Sequence, residues 1–317
     1  MFLTDEAITE RYATVLRSLS EIAEAYYFQG SIDEARKIWQ CAQTLLIDQE
    51  VQSEQRVKFL LRYGQFLIQY YFLTNHDEDL MHSVVQQAQQ GAQNLQDEEA
   101  LAMAYYLTGQ TLYYHNLLGA ESDYSRARDY FEQASALGKK IGDFYHLSEF
   151  LFYAGLTYDR EKPLEEAKNY YQQALALAEQ YGNKWATSEA MRHLTDHTEG
   201  EQRLYYALHS LKIREEMCFK RGLPPALLLV SDIYIEQGDL IRGLEYCQRA
   251  EQLAGEMGLQ TYLLHALITH GDIASRQGQI VEAREHFARA AELAQELKMA
   301  YLLTIVNEKL AQLANEQ

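Results

Sequence analysis

A chain of 317 residues is longer than one compact core usually grows, so it forms either two domains or an architecture that extends by repetition. Leu, Ala, Gln, Glu and Tyr dominate, Val and Thr are sparse, and the only prolines are Pro163, Pro224 and Pro225. This favours helix throughout and excludes a sheet-built or disordered chain. The formal charge of −18 repels phosphate backbones and anionic lipid, no apolar run is long enough to cross a bilayer, and Met1 to Glu6 has no basic stretch leading into an apolar one, so the expected setting is cytoplasmic.

The first apolar-periodic segment opens by about Val15 and runs to the turn Gln29-Gly30-Ser31. Behind that turn Ala35, Trp39 and Ala42 stand at spacings of four and three, which puts a small, an aromatic and a small residue on one stripe of a helix. The small members let a neighbouring helix approach while the aromatic fills the gap. The second copy, Met81-Val85-Ala88 after Tyr63-Gly64, is degenerate; the third and fourth, Ala127-Phe131-Ala134 and Ala167-Tyr171-Ala174, are clear. A fifth is placed at Gln202-Tyr206-His209, after a helix beginning near Trp185, but this unit does not align securely. Pro224-Pro225 follow Gly222 and fit the first turn of the next helix. The sixth and seventh triplets are Gly243-Cys247-Ala250 and Ala283-Phe287-Ala290.

Upstream of the triplets lies a second apolar segment with its own small residue, as in Leu151-x-x-Ala154-Gly155-x-x-Tyr158 and Leu267-x-x-His270-Gly271-x-x-Ala274. The turns Gln237-Gly238-Asp239 and Gln277-Gly278-Gln279 supply the left-handed residue that ends a helix, and Asp33, Asp239 and Glu282 sit near the positive start of the next. Each unit is therefore helix, turn, helix. The amphipathic stretch from Tyr301 to Leu313 is expected to cap the last unit's apolar face.

The order large-x-x-large-small-x-x-aromatic, then small-x-x-x-aromatic-x-x-small, resembles the tetratricopeptide repeat over nearly the whole chain. The last triplet position falls at 42, 88, 134, 174, 209, 250 and 290, giving steps of 46, 46, 40, 35, 41 and 40. Most exceed the family's repeat of about 34 residues, so the units are similar to the longer-helix variants of kinesin light chains and bacterial signalling proteins. The resemblance implies an all-α fold: a right-handed α-solenoid of about seven helix pairs over residues 1–298, with 299–317 as a capping helix of the same domain.

The resemblance also implies that the first helices line an inner, concave wall. Carried over position by position, it assigns to a partner-binding groove Tyr27 and Phe28 in the first unit, Tyr106, Gln110, Tyr113 and Tyr114 in the third, and Phe152 and Arg160 in the fourth. Asp232, Glu236, Asp272 and Arg276 follow in the sixth and seventh. Such a wall is aromatic first and acidic later, and suits a peptide or helix with basic residues beside an apolar anchor. The carboxylate clamp of chaperone-binding members is absent, since Ser20, Leu61, Glu24, Gln65 and Gln110 stand at its positions. Pheromone-sensing members hold peptide backbone through asparagines, whereas Asn75, Asn116 and Asn183 are expected in turns or helix ends, and any effector is expected to be a separate protein.

Chemical motifs are few. His193-x-x-x-His197 with Glu189 and Asp196 has too few ligands for a metal site and is expected to be a pair of surface histidines. Cys41, Cys218 and Cys247 are too far apart for a disulfide framework or a zinc cluster and are expected to be reduced core residues. Nucleophile-elbow, phosphate-loop and Cys-x-x-Cys patterns do not occur, and acid pairs such as Glu165-Glu166 diverge on a helix. No catalytic residue, cofactor or metal is therefore expected. The expected function is an interaction adaptor or scaffold that holds a peptide segment or helix of another protein, with no nucleic acid and no membrane as partner. The alternatives are a peptide- or small-molecule-responsive sensor or regulatory subunit, or an unusual enzyme with a Tyr-lined groove.

Overall fold

The computed structural model describes residues 5–47, 52–119, 121–161 and 164–315. Among these residues every regular element is helical. Seven times a first helix is followed by a second: α1 (Asp5–Gln29) and α2 (Ile32–Thr44), α3 (Ser53–Thr74) and α4 (Glu78–Leu95), α5 (Glu98–Gly119) and α6 (Ser125–Ile141), α7 (Phe144–Glu161) and α8 (Leu164–Tyr181), α9 (Lys184–Leu194) and α10 (Gly200–Glu216), α11 (Leu223–Glu236) and α12 (Leu240–Glu256), α13 (Gln260–Arg276) and α14 (Ile280–Glu296). A last helix, α15 (Ala300–Asn315), follows. The long early steps of the repeat come from the first helices, since α3 and α5 have 22 residues each while α11 and α13 have 14 and 17.

Local chemistry sets the boundaries. At the end of α11, Gly238 takes φ +82°, and Asp239 then caps α12 by accepting from the Arg242 amide at 3.0 Å. Where no glycine stands, Asn75 takes the same left-handed conformation after α3, at φ +56°. Pro224 and Pro225 lie in the first turn of α11, where no intrahelical donor is lost.

Packing follows the triplets. Trp39, Phe131, Tyr171 and Phe287 are at most 1% exposed, and the alanines on either side of each are wholly buried. The glycines of the first helices meet these rings. A Cβ on Gly109 would stand 2.6 Å from Phe131, and one on Gly155 2.8 Å from Tyr171, closer than real Cβ atoms sit. Glycine is thus what allows these helix pairs to close on their aromatics. At the end of the chain, Val306 and Leu313 of α15 are buried against Phe287, Ala290 and Ala294, which closes the last apolar face.

Two expectations are corrected. In α10 the small residues that face α11 are Ala207 and Ser210, with Leu211 beside them, one position later than the expected stripe; Tyr206 is half-buried and His209 exposed. Close helix approach selects the small side chains, and the aromatic pattern had pointed to their larger neighbours. Of the cysteines only Cys247 is in the core, where it donates to the Ala266 carbonyl at 3.3 Å. Cys41 is exposed because its neighbour Ala42 holds the inward position, and Cys218 is exposed in the turn after α10.

The helices group into two compact units, one ending at His197 and the other beginning at Thr198. The first holds α1 to α9 and the second α10 to α15.

Candidate functional site

In the first unit the first helices α1, α3, α5, α7 and α9 pack side by side. Between Ala100 and Tyr114 α5 carries no charged residue, and α7 is buried at every position from Phe150 to Thr157. A helix apolar nearly all round is a helix covered nearly all round. The few polar groups it carries must then find partners inside.

Most do. The Tyr27 hydroxyl of α1 donates to Gln69 Oε1 of α3 at 3.4 Å, and the hydroxyls of Tyr114 on α5 and Tyr153 on α7 are 3.0 Å apart. Tyr106 donates to Glu149 Oε2 at 3.2 Å, while Asn183 donates to Glu149 Oε1 at 2.8 Å and to the Tyr145 carbonyl at 3.1 Å. Burial pushes the Glu149 carboxyl up, and the hydrogen bonds from Asn183 and Tyr106 pull it back. Burial also raises the Tyr106 and Tyr153 hydroxyls well above their ordinary value, so both remain donors. Arg160 Nε reaches the Tyr113 hydroxyl at 3.2 Å.

Gln110 of α5 does not. It is wholly buried, and neither its Oε1 nor its Nε2 has a hydrogen-bond partner. An amide in that condition costs about 1–3 kcal/mol for each unmet group.

The expected groove residues fall into three conditions. Tyr106, Tyr113, Tyr114 and Phe152 are 1%, 2%, 9% and 2% exposed, so in the free chain they do not stand open as an exposed wall: they pack on one another and on Tyr153, Trp185 and His193. Tyr27 and Phe28 are half-buried and meet edge to face at 5.8 Å, and Arg160 is exposed. In the second unit Asp232, Glu236 and Arg276 are exposed and Asp272 is half-buried. Glu236 pairs with Arg203 of α10, and Asp272 pairs with Lys309 of α15 at 2.5 Å, so two of the three acids there are already matched by a cation.

The histidine pair is also corrected. His193 is buried against Phe152 and Tyr171, and His197 lies 3.3 Å from Asp159, to which Tyr171 donates at 3.2 Å. Asp159 of α7, far away in sequence, is the carboxylate that meets both histidines. Arg192 donates to His193 Nε2, and burial with that guanidinium lowers His193 to about 4. Asn183 does stand at a helix end as expected, capping α9 through the Ala186 amide at 3.0 Å, but its amide group also serves Glu149. The family resemblance carries Glu149 over as a groove position, whereas sequence reading missed Tyr153 and Asn183 as members of this cluster; the charge-free run in α5 was the available signal.

Comparison with known proteins agrees with this architecture. Residues 148–181, covering most of α7 and all of α8, match the tetratricopeptide repeat model. The chain has the tetratricopeptide-repeat fold. A Rap protein complexed with competence and sporulation factor is similar at 19% identity over 94% of this chain and 80% of that one, with a TM-score of 0.62. The apo quorum sensor NprR from B. thuringiensis is similar at 14% identity over 95% of this chain and 80% of that one, with a TM-score of 0.60. NprR in complex with its cognate peptide NprX follows at 15% identity, over 94% and 82%, with a TM-score of 0.50. At such identities the likeness is one of fold. The chain matches no curated protein sequence. Among the described residues no helix is long and apolar enough to cross a membrane.

Proposed function

We propose that the chain is a non-enzymatic, peptide-binding regulator whose first unit receives an extended peptide along the first helices. The observation that carries this reading is the unmet amide of Gln110. A peptide backbone offers N–H and C=O groups side by side, which is what the Gln110 carbonyl and amino groups together lack. Tyr106 one turn earlier on α5, Glu149 on α7 and Asn183 at the start of α9 are further donors and acceptors, and the tyrosines supply broad contact area with few rotors to freeze. Because the tyrosines cover the site, entry requires them to swing aside, and binding then biases the packing of α5 on α7. A ligand that changes that packing is a signal as well as a cargo. The fold is shared with structures solved with competence and sporulation factor and with the peptide NprX, which supports a peptide as the ligand class.

The experiment is affinity capture on the immobilised chain from the extract and conditioned medium of its own cells, with mass analysis of small and large eluates separately. A short peptide eluting with the wild type and missing from Tyr106→Ala supports the reading. A stoichiometric folded protein with no small ligand favours the adaptor reading instead, and a non-peptide small molecule contradicts both.

A further inference from the structure

We propose that Glu251, His270 and His286 form a binding site for a divalent transition-metal ion of the zinc class. The three side chains come from α12, α13 and α14 of the second unit, and their candidate ligand atoms all lie within 4.8 Å of one another. Bonds of about 2.0–2.2 Å to zinc require ligand atoms somewhat closer than this, a distance that small side-chain rotations cover.

The orphaned atoms point to the same place. His270 is 6% exposed, and its ring stacks on His286 with centroids 3.7 Å apart and an interplanar angle of 27°. His270 Nδ1 is 2.9 Å from Glu251 Oε2, but His270 Nε2 and His286 Nδ1 are buried without hydrogen-bond partners. Glu282, one turn before His286 on α14, brings an oxygen to 3.7 Å from His270 Nε2. Two imidazole nitrogens with free lone pairs and two carboxylates within reach make a nitrogen and oxygen donor set, which suits zinc, nickel or cobalt better than magnesium or calcium. Arg289 holds the other side of Glu251 at 3.2 Å and so fixes the carboxylate's orientation, as outer contacts do around metal ligands.

The repeat itself builds this arrangement. The sixteen-residue separation that lays Phe287 on Gly271 also lays His286 on His270. A second group, Glu78, His82 and His115, is assembled from α4 and α5, but both of its histidines are exposed and Glu78 already takes His115 Nδ1 at 2.6 Å. The buried group with unpaired nitrogens is the stronger site, and an ion there would fasten α12, α13 and α14 to one another.

The test uses the full chain, stripped with a chelator and titrated with Zn2+ in excess Mg2+, so that loose binding to an acidic surface is suppressed. One equivalent of Zn2+ should bind and raise the thermal midpoint. His286→Ala, at a half-buried position where the fold should persist by circular dichroism, should weaken binding at least tenfold and abolish the midpoint shift, as should Glu251→Gln; His115→Ala should change neither. With Co2+ in place of Zn2+, visible absorption of a low-symmetry complex should appear in the wild type and not in His286→Ala. Absence of a saturable single equivalent, equal affinity in His286→Ala, or loss of binding in His115→Ala would each overturn the assignment.

Discussion

Gly271 of α13 lies directly against the ring of Phe287 on α14: a Cβ at Gly271 would stand 2.6 Å from Phe287 Cε1 and 2.7 Å from Cδ1. The ring is the middle member of the seventh triplet and is 1% exposed, so it has nowhere to retreat. Gly271→Leu should therefore cost at least about 1–3 kcal/mol through overpacking. Gly255 provides the contrast, since it is helical with nothing within 4 Å of its Cβ position. Gly255→Ala should stabilise by about 0.4–1 kcal/mol, because alanine loses less backbone freedom on folding. Thermal unfolding of the two variants checks both signs, and a tolerated Gly271→Leu would mean the pair is not packed as described.

Tyr106 separates structure from recognition. At 1% exposure, truncation to alanine should cost about 3–5 kcal/mol, so loss of binding in that variant has to be read beside its stability. Tyr106→Phe keeps the ring and removes only the donor to Glu149, a change of about 1–3 kcal/mol. The expected outcome is a folded chain, by circular dichroism and thermal midpoint, with altered peptide affinity. Equal affinity would place the Tyr106 hydroxyl outside the site.

Acid should loosen the first unit through His193. Its folded value of about 4 lies below the ordinary 6.5, because burial and then the neighbouring Arg192 guanidinium oppose the charged ring. Between those two values the unfolded chain binds the proton more readily than the folded one, so stability falls as pH drops from about 6.5 to 4, by up to about 3 kcal/mol. Above 6.5 the effect is absent. Glu149 acts with the opposite sign, since its raised carboxyl takes up a proton first in the folded chain. Asp159 and Glu189 also bear on His193, so the slope of stability against pH should be compared between wild type and His193→Gln. A shallower slope in the variant is expected; identical slopes would contradict the assignment.

The seven helix pairs and the closing helix were legible because the triplet obeys helical geometry locally: Ala35, Trp39 and Ala42 share a face whatever surrounds them. Site geometry was not legible in the same way. Carrying groove positions over from the family assumed an open wall, whereas in α5 the absence of charge from Ala100 to Tyr114 meant that Tyr106, Tyr113 and Tyr114 would be buried. The partners Asp159 for His197, Glu149 for Asn183 and Glu251 for His270 come from neighbouring helices at distances along the chain that no short motif spans. In α10 the stripe slipped by one residue because Tyr205 and Tyr206 offered an aromatic where the fold uses Ala207 and Ser210.

On the proposed function, Gln110 leaves its amide unmet in the free chain and a peptide backbone meets it. Gln110→Leu replaces a wholly buried, unpartnered amide by an apolar side chain of similar size. Removing the desolvation cost should leave the thermal midpoint unchanged or raise it, while removing both hydrogen-bonding groups should weaken peptide binding at least tenfold, about 1.4 kcal/mol or more. The measurement is the dissociation constant of the captured peptide for wild type and Gln110→Leu, taken beside the two melting curves. Weaker binding in a chain at least as stable is expected; unchanged affinity, or affinity and stability falling together, would mean that Gln110 does not hold the peptide backbone.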